Sequence, residues 1–109
     1  MSYPIERSHY RIKYPMRERP QLTLGDRVHA VMDCSEFGIR YLAGRTALPE
    51  IGAEVEGRIR FGRGAEADIT GTVVRVASDG IALRLKSPIP LRIIIDEQRY
   101  LRINYPMSQ

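Results

Sequence analysis

Tryptophan is absent from this 109-residue chain, cysteine occurs once, and histidine and lysine occur twice each. A lone Cys34 excludes an intrachain disulfide and a cysteine-rich zinc site. His9 and His29 have no nearby cysteine and no H-x-x-H spacing, so no metal site is expected. The strongest apolar run is Ile93-Ile94-Ile95, far short of the roughly 20 residues that span a bilayer. Arg7 and Arg11 fall where a secretory signal needs its hydrophobic stretch. A soluble cytoplasmic protein is expected.

One domain is all this length allows, since about 100–200 residues make a single core. At 43% hydrophobic the chain resembles an ordinary globular protein, which excludes wholesale disorder. Its formal charge of +4 is unevenly made, with 15 Arg and two Lys among the cations. Residues 1–20 hold five basic side chains (Arg7, Arg11, Lys13, Arg17, Arg19) against Glu6 and Glu18, a surplus of +3. The other 89 residues hold 12 basic and 11 acidic side chains, a surplus of +1. A nearly neutral body with a basic arm points to a local anion site, not to a general nucleic-acid coat.

Residues 1–20 read as an irregular arm, because Pro4, Pro15 and Pro20 deny it continuous helix or central strand. Strand-like segments follow at 21–24, 27–33, 39–42, 54–61, 69–77 and 81–85, with turn signals at Gly25-Asp26 and Ser78-Asp79-Gly80. Within 27–33, Val28, Ala30 and Met32 share one face. Residues 54–61 alternate most cleanly, with Val55, Gly57, Ile59 and Phe61 inward; 62–68 reads as a loop tip. Pro90 followed by Leu91, Ile94, Ile95 and Leu101 among charged residues predicts a C-terminal helix, although the Ile triplet alone suits a strand equally well. The predicted fold is all-β in the main: a six-stranded antiparallel barrel with a C-terminal helix. The predicted organisation is an arm at 1–20, barrel and helix at 21–103, and a tail at 104–109.

Two separated motifs stand out. Arg7-Ser8-His9-Tyr10-Arg11 places two arginines four apart, and Asp33-Cys34-Ser35-Glu36-Phe37-Gly38 follows a strand. Each is weak alone: so arginine-rich a chain yields R-x-x-x-R by chance, and D-x-S-x-x-G also describes a plain turn. Together, and in this order, they resemble the PilZ domain, a bacterial receptor for cyclic di-GMP. That family carries R-x-x-x-R and then, roughly 20–30 residues on, (D/N)-x-S-x-x-G. The paired late segments 71–76 and 81–83 and the helix after Pro90 are also similar, so the resemblance spans about residues 6–103.

The resemblance implies a ligand with two guanines and two phosphodiesters, bound by Arg7, Arg11, Asp33, Ser35 and Gly38. The residue types suit it. An Arg fork grips a phosphate or the O6/N7 edge of guanine, a carboxylate accepts from the guanine N1–H and N2–H, and Gly allows close backbone approach. His9, Tyr10 and Arg40 are secondary candidates: His9 and Tyr10 by their place between the arginines, Arg40 as an extension of the basic patch. Glu6 stands where many members carry a further Arg, which favours one ligand molecule over a stacked pair. No cofactor is implied beyond the ligand. The expected role is a stand-alone adaptor: the ligand orders the arm and a protein partner in motility, exopolysaccharide or signalling machinery reads the result.

Rival readings are a PilZ-fold protein-interaction module with weak or no nucleotide binding, and a small barrel binding single-stranded nucleic acid. The second wants aromatic and basic residues alternating along a strand face, and these strands hold only Tyr41 and Phe61. A Ser-His-Asp hydrolase lacks any G-x-S-x-G elbow, so no enzyme is expected.

Overall fold

The computed structural model describes residues 11–44 and 48–106. Arg7, His9 and Tyr10 lie outside the described residues. The elements are β1 (Ile12–Lys13), a 3-10 turn (Met16–Glu18), β2 (Gln21–Leu24), β3 (Arg27–Cys34), β4 (Gly38–Tyr41), β5 (Glu54–Arg60), β6 (Glu66–Ala77), β7 (Gly80–Leu85) and α1 (Leu91–Asn104).

Strands β2, β3 and β4 form one antiparallel meander, and β5, β6 and β7 form a second. Two long-range pairings, β2 with β5 and β4 with β7, join the meanders edge to edge and close a six-stranded barrel. Closure satisfies backbone groups that an open sheet would leave on its edges. The predicted barrel with a C-terminal helix is the architecture found, with β1 as an added strand.

Period-two patterning does most of the sorting. In β5 the charged Glu54, Glu56, Arg58 and Arg60 face solvent, while Val55 and Gly57 are partly and Ile59 fully buried. Gly57 is required there, because a Cβ would sit 2.1 Å from the Thr23 carbonyl oxygen. In β3 the inward face is the one opposite to Val28, Ala30 and Met32: Val31 is fully buried and Val28 is 60% exposed. A bulge between Val31 and Asp33 then resets the alternation, so Val31 and Cys34 are both in the core and Asp33 is on the outer face. β6 also begins earlier than the sequence suggests. Glu66 already pairs with Arg60, so the last three residues of the expected 62–68 loop are strand.

The Ile triplet resolves as helix. Ile93, Ile94, Glu97 and Leu101 form the buried stripe of α1, and Pro90 precedes its first turn. The expectation of an irregular arm to residue 20 is corrected for the described part, 11–20. Ile12, Tyr14 and Pro20 are buried, the Tyr14 amide donates to the Met32 carbonyl at 3.0 Å, and the Val31 amide donates to the Pro20 carbonyl at 2.9 Å. β1 and β2 therefore share one edge of β3, with the 3-10 turn looped out between them. Pro15 and Pro20 interrupt the ladder without preventing anchorage on either side.

Candidate functional site

Asp33 is a carboxylate only 3% exposed on the outer side of β3. A buried carboxylate needs donors, and Asp33 has two guanidinium partners. Arg11 NH1 donates to Oδ1, and Arg40 Nε donates to Oδ2 at 2.8 Å. Arg40 also reaches Asp79 Oδ2 through NH1 at 3.3 Å, which fixes its fork between β4 and the β6–β7 turn. Arg40, a secondary candidate from the sequence, thus stands beside Arg11 at the centre of this cluster.

Strand register extends this centre into a row. Lys13 on β1 pairs with Asp33 on β3, Asp33 with Arg40 on β4, Arg40 with Ala82 on β7, and Ala82 with Arg75 on β6. Gly38 pairs with Arg84 in a parallel row two residues along β4. A bulge between Val73 and Arg75 brings Arg75 opposite Ala82. The rows form the floor of an open cleft of about 720 Å³, lined also by Ser35, Phe37 and Val74. Among the described residues, five lining cations (Arg11, Lys13, Arg40, Arg75, Arg84) meet one lining carboxylate, Asp33.

Ser35 and Gly38 shape one end. The Ser35 amide donates to the Gly38 carbonyl at 2.8 Å, closing the β3–β4 turn. A Cβ on Gly38 would lie 3.3 Å from Arg11 NH2 and 3.4 Å from Ser35 Oγ. The glycine keeps the guanidinium and the hydroxyl close to the backbone. Arg11 from the first motif and Asp33, Ser35 and Gly38 from the second thus line one cleft. Residues 5–102 match the PilZ domain family.

The chain belongs to the PilZ domain family. PilZ domains are cyclic di-GMP-binding modules and not enzymes. No curated protein matches the chain. Phe37, inside the second motif, also lines the cleft, and motif reading missed Lys13, Val74, Arg75 and Arg84, which line it too. Only register could have found them, because they enter through the β1–β3 and β4–β7 pairings and the β6 bulge. His29 serves packing: its Nδ1 donates to the Leu42 carbonyl at 3.1 Å, and its ring lies 4.9 Å from Tyr41. Among the described residues no cluster of acids, His and Cys could hold a metal ion, and no helix is long and apolar enough to cross a membrane.

A second polar cluster anchors α1 beside the site. Glu97, 2% exposed, accepts from Tyr14 at 2.8 Å and from Arg63 Nε at 3.0 Å. Arg63 also donates to Glu18 at 3.1 Å and lies 3.8 Å over the Tyr100 ring. Burial works against the Arg63 charge, yet the bonds and charge of Glu97 and Glu18 outweigh it and raise its pKa. Glu18 in turn accepts from Tyr105 at 2.6 Å, which holds the helix end against the 3-10 turn. Cys34, inside the motif, is a core residue whose thiol burial pushes up to about 12.

Proposed function

We propose that this PilZ domain binds cyclic di-GMP in the cleft around Asp33 and serves as a cytoplasmic, non-enzymatic adaptor for a protein partner. The observation that carries this reading is the buried Asp33 carboxylate gripped by Arg11 and Arg40, with Ser35 and Gly38 beside it. Guanidinium forks already oriented by a carboxylate suit phosphate or guanine, and the remaining lone pairs of Asp33 can accept from guanine N–H groups. Arg7 joins the site by the motif, and a phosphate bound at Arg11 would draw the preceding residues over the cleft. The surface made by arm and barrel is then what a partner in motility, exopolysaccharide or signalling machinery reads.

Calorimetric titration with cyclic di-GMP, beside GTP, cyclic GMP and a short oligonucleotide, tests it. The expected result is saturable binding of the cyclic dinucleotide alone, weakened strongly by Arg7→Ala, Arg11→Ala or Asp33→Ala. Absence of heat with cyclic di-GMP at tens of micromolar would overturn the reading. Oligonucleotide binding with a steep salt slope would instead mark a nucleic-acid barrel.

A further inference from the structure

We propose that Arg75 and Arg84 form a second cationic wall of the cleft, which holds the second phosphate of a cyclic dinucleotide. This rests on the proposed cyclic di-GMP reading and assigns a selecting role to residues outside the R-x-x-x-R and D-x-S-x-x-G motifs. The first wall is Arg11 and Arg40, both bonded to Asp33. The second comes from the other meander, with Arg75 on β6 and Arg84 on β7. Between the walls the floor is small: Ala82 separates Arg40 from Arg75, and Gly38 lies beside Arg84.

Spacing and charge both favour this assignment. Arg40 and Arg75 stand two strands apart, so their backbones are separated by roughly 10 Å. Arg11 and Arg40 are drawn toward Asp33, away from the second wall, so a phosphate held beside them leaves Arg75 and Arg84 free for another anion, which a ring carrying two phosphates supplies. Both arginines are exposed, and neither has a carboxylate within 4.0 Å among the described residues. On β5, by contrast, Arg58 meets Glu66 and Asp68, and Arg60 meets Glu66. Among the described residues one carboxylate lines the cleft, and it is already bonded to the first wall, so Arg75 and Arg84 repel their cationic neighbours until an anion arrives. A mononucleotide brings one phosphate and, held at the first wall, leaves the second unfilled. A cyclic dinucleotide spans both, and the difference is selectivity.

The test compares wild type, Arg75→Ala, Arg84→Ala and the double variant by calorimetry at two salt concentrations, with Arg11→Ala as reference. Each single substitution is expected to weaken cyclic di-GMP about tenfold, and the pair roughly a hundredfold, with a shallower salt dependence. Binding of 5′-GMP, titrated to millimolar, should be no weaker in the double variant than in wild type. The melting temperature reports whether the exposed substitutions disturb the fold. If the double variant binds cyclic di-GMP within twofold of wild type while Arg11→Ala abolishes binding, the second wall is wrong and the ligand reading stands. Equal losses for cyclic di-GMP and 5′-GMP also overturn the selecting role. If wild type binds no cyclic di-GMP, both readings fall.

Discussion

Tyr14 gives its hydroxyl to Glu97 at 2.8 Å, joining two residues that lie 83 positions apart in the chain. Three residues before Tyr14 stands Arg11, which bonds Asp33 in the cleft. A single short segment is therefore tied at one end to the cleft and at the other to α1. Glu97 is a buried carboxylate on the apolar stripe of the helix, and it is tolerated because Tyr14 and Arg63 supply donors.

Removing those donors should be costly. Arg63→Met leaves Glu97 buried without its cation and is expected to lower stability by about 3 kcal/mol. Tyr14→Phe removes one neutral donor and should cost about 1–2 kcal/mol. Urea unfolding measures both. Because both donors serve one carboxylate, the double variant should depart from additivity.

Acid should loosen the same anchor through Glu18. The hydroxyl of Tyr105, together with Arg63 and Tyr100, holds the Glu18 carboxyl below its ordinary 4.5 despite partial burial. The unfolded chain therefore takes up this proton first. The contribution of Glu18 is complete above about pH 4.5 and is lost as pH falls through the lower folded value. Melting temperatures between pH 6 and pH 3 should fall more steeply for wild type than for Glu18→Gln. Parallel curves would show that Glu18 contributes nothing to the acid response.

Gly38 should separate folding from binding. An added methyl meets side-chain ends, Arg11 NH2 at 3.3 Å and Ser35 Oγ at 3.4 Å, which can give way. Gly38→Ala should therefore change stability by less than about 1 kcal/mol while weakening cyclic di-GMP, and Gly38→Val should weaken it further. Thermal melting and calorimetry on the same samples check the split.

Cys34 should be chemically silent in the native protein. With its thiol pushed up to about 12 by burial, almost no thiolate exists at pH 8. Alkylation by iodoacetamide should run at least about a hundredfold slower in buffer than in denaturant. Comparable rates in the two conditions would mean that the core around Cys34 opens readily.

Much of this site is legible in the sequence because its motif residues lie next to a turn. Ser35 to Gly38 closes a tight hairpin, and that hairpin alone sets Asp33 opposite Arg40. Arg75 and Arg84 are different: their place depends on how β7 aligns with β4 and on the bulge after Val73, neither of which leaves a local signal. Ile12 and Tyr14 were hidden by neighbouring prolines, which suggest an arm although the stretch from 11 to 20 is anchored. Glu97 gave no sign either, since an acidic residue in a charged helix reads as solvent-facing until its partners, Tyr14 just after β1 and Arg63 in the β5–β6 loop, are known.

The cleft lies across the pairing of β4 with β7, one of the two joins between the meanders. Lys13, Asp33 and Arg40 stand on one side of that join, and Ala82, Arg75 and Arg84 on the other. A ligand seated there is a rivet between two half-barrels. It would resist their parting, and its grip would be felt at β2 and β5 on the far side as well as under the ligand. Protection of amide hydrogens should then rise along both joins together, and the messenger's presence would be written into the rigidity of the whole barrel.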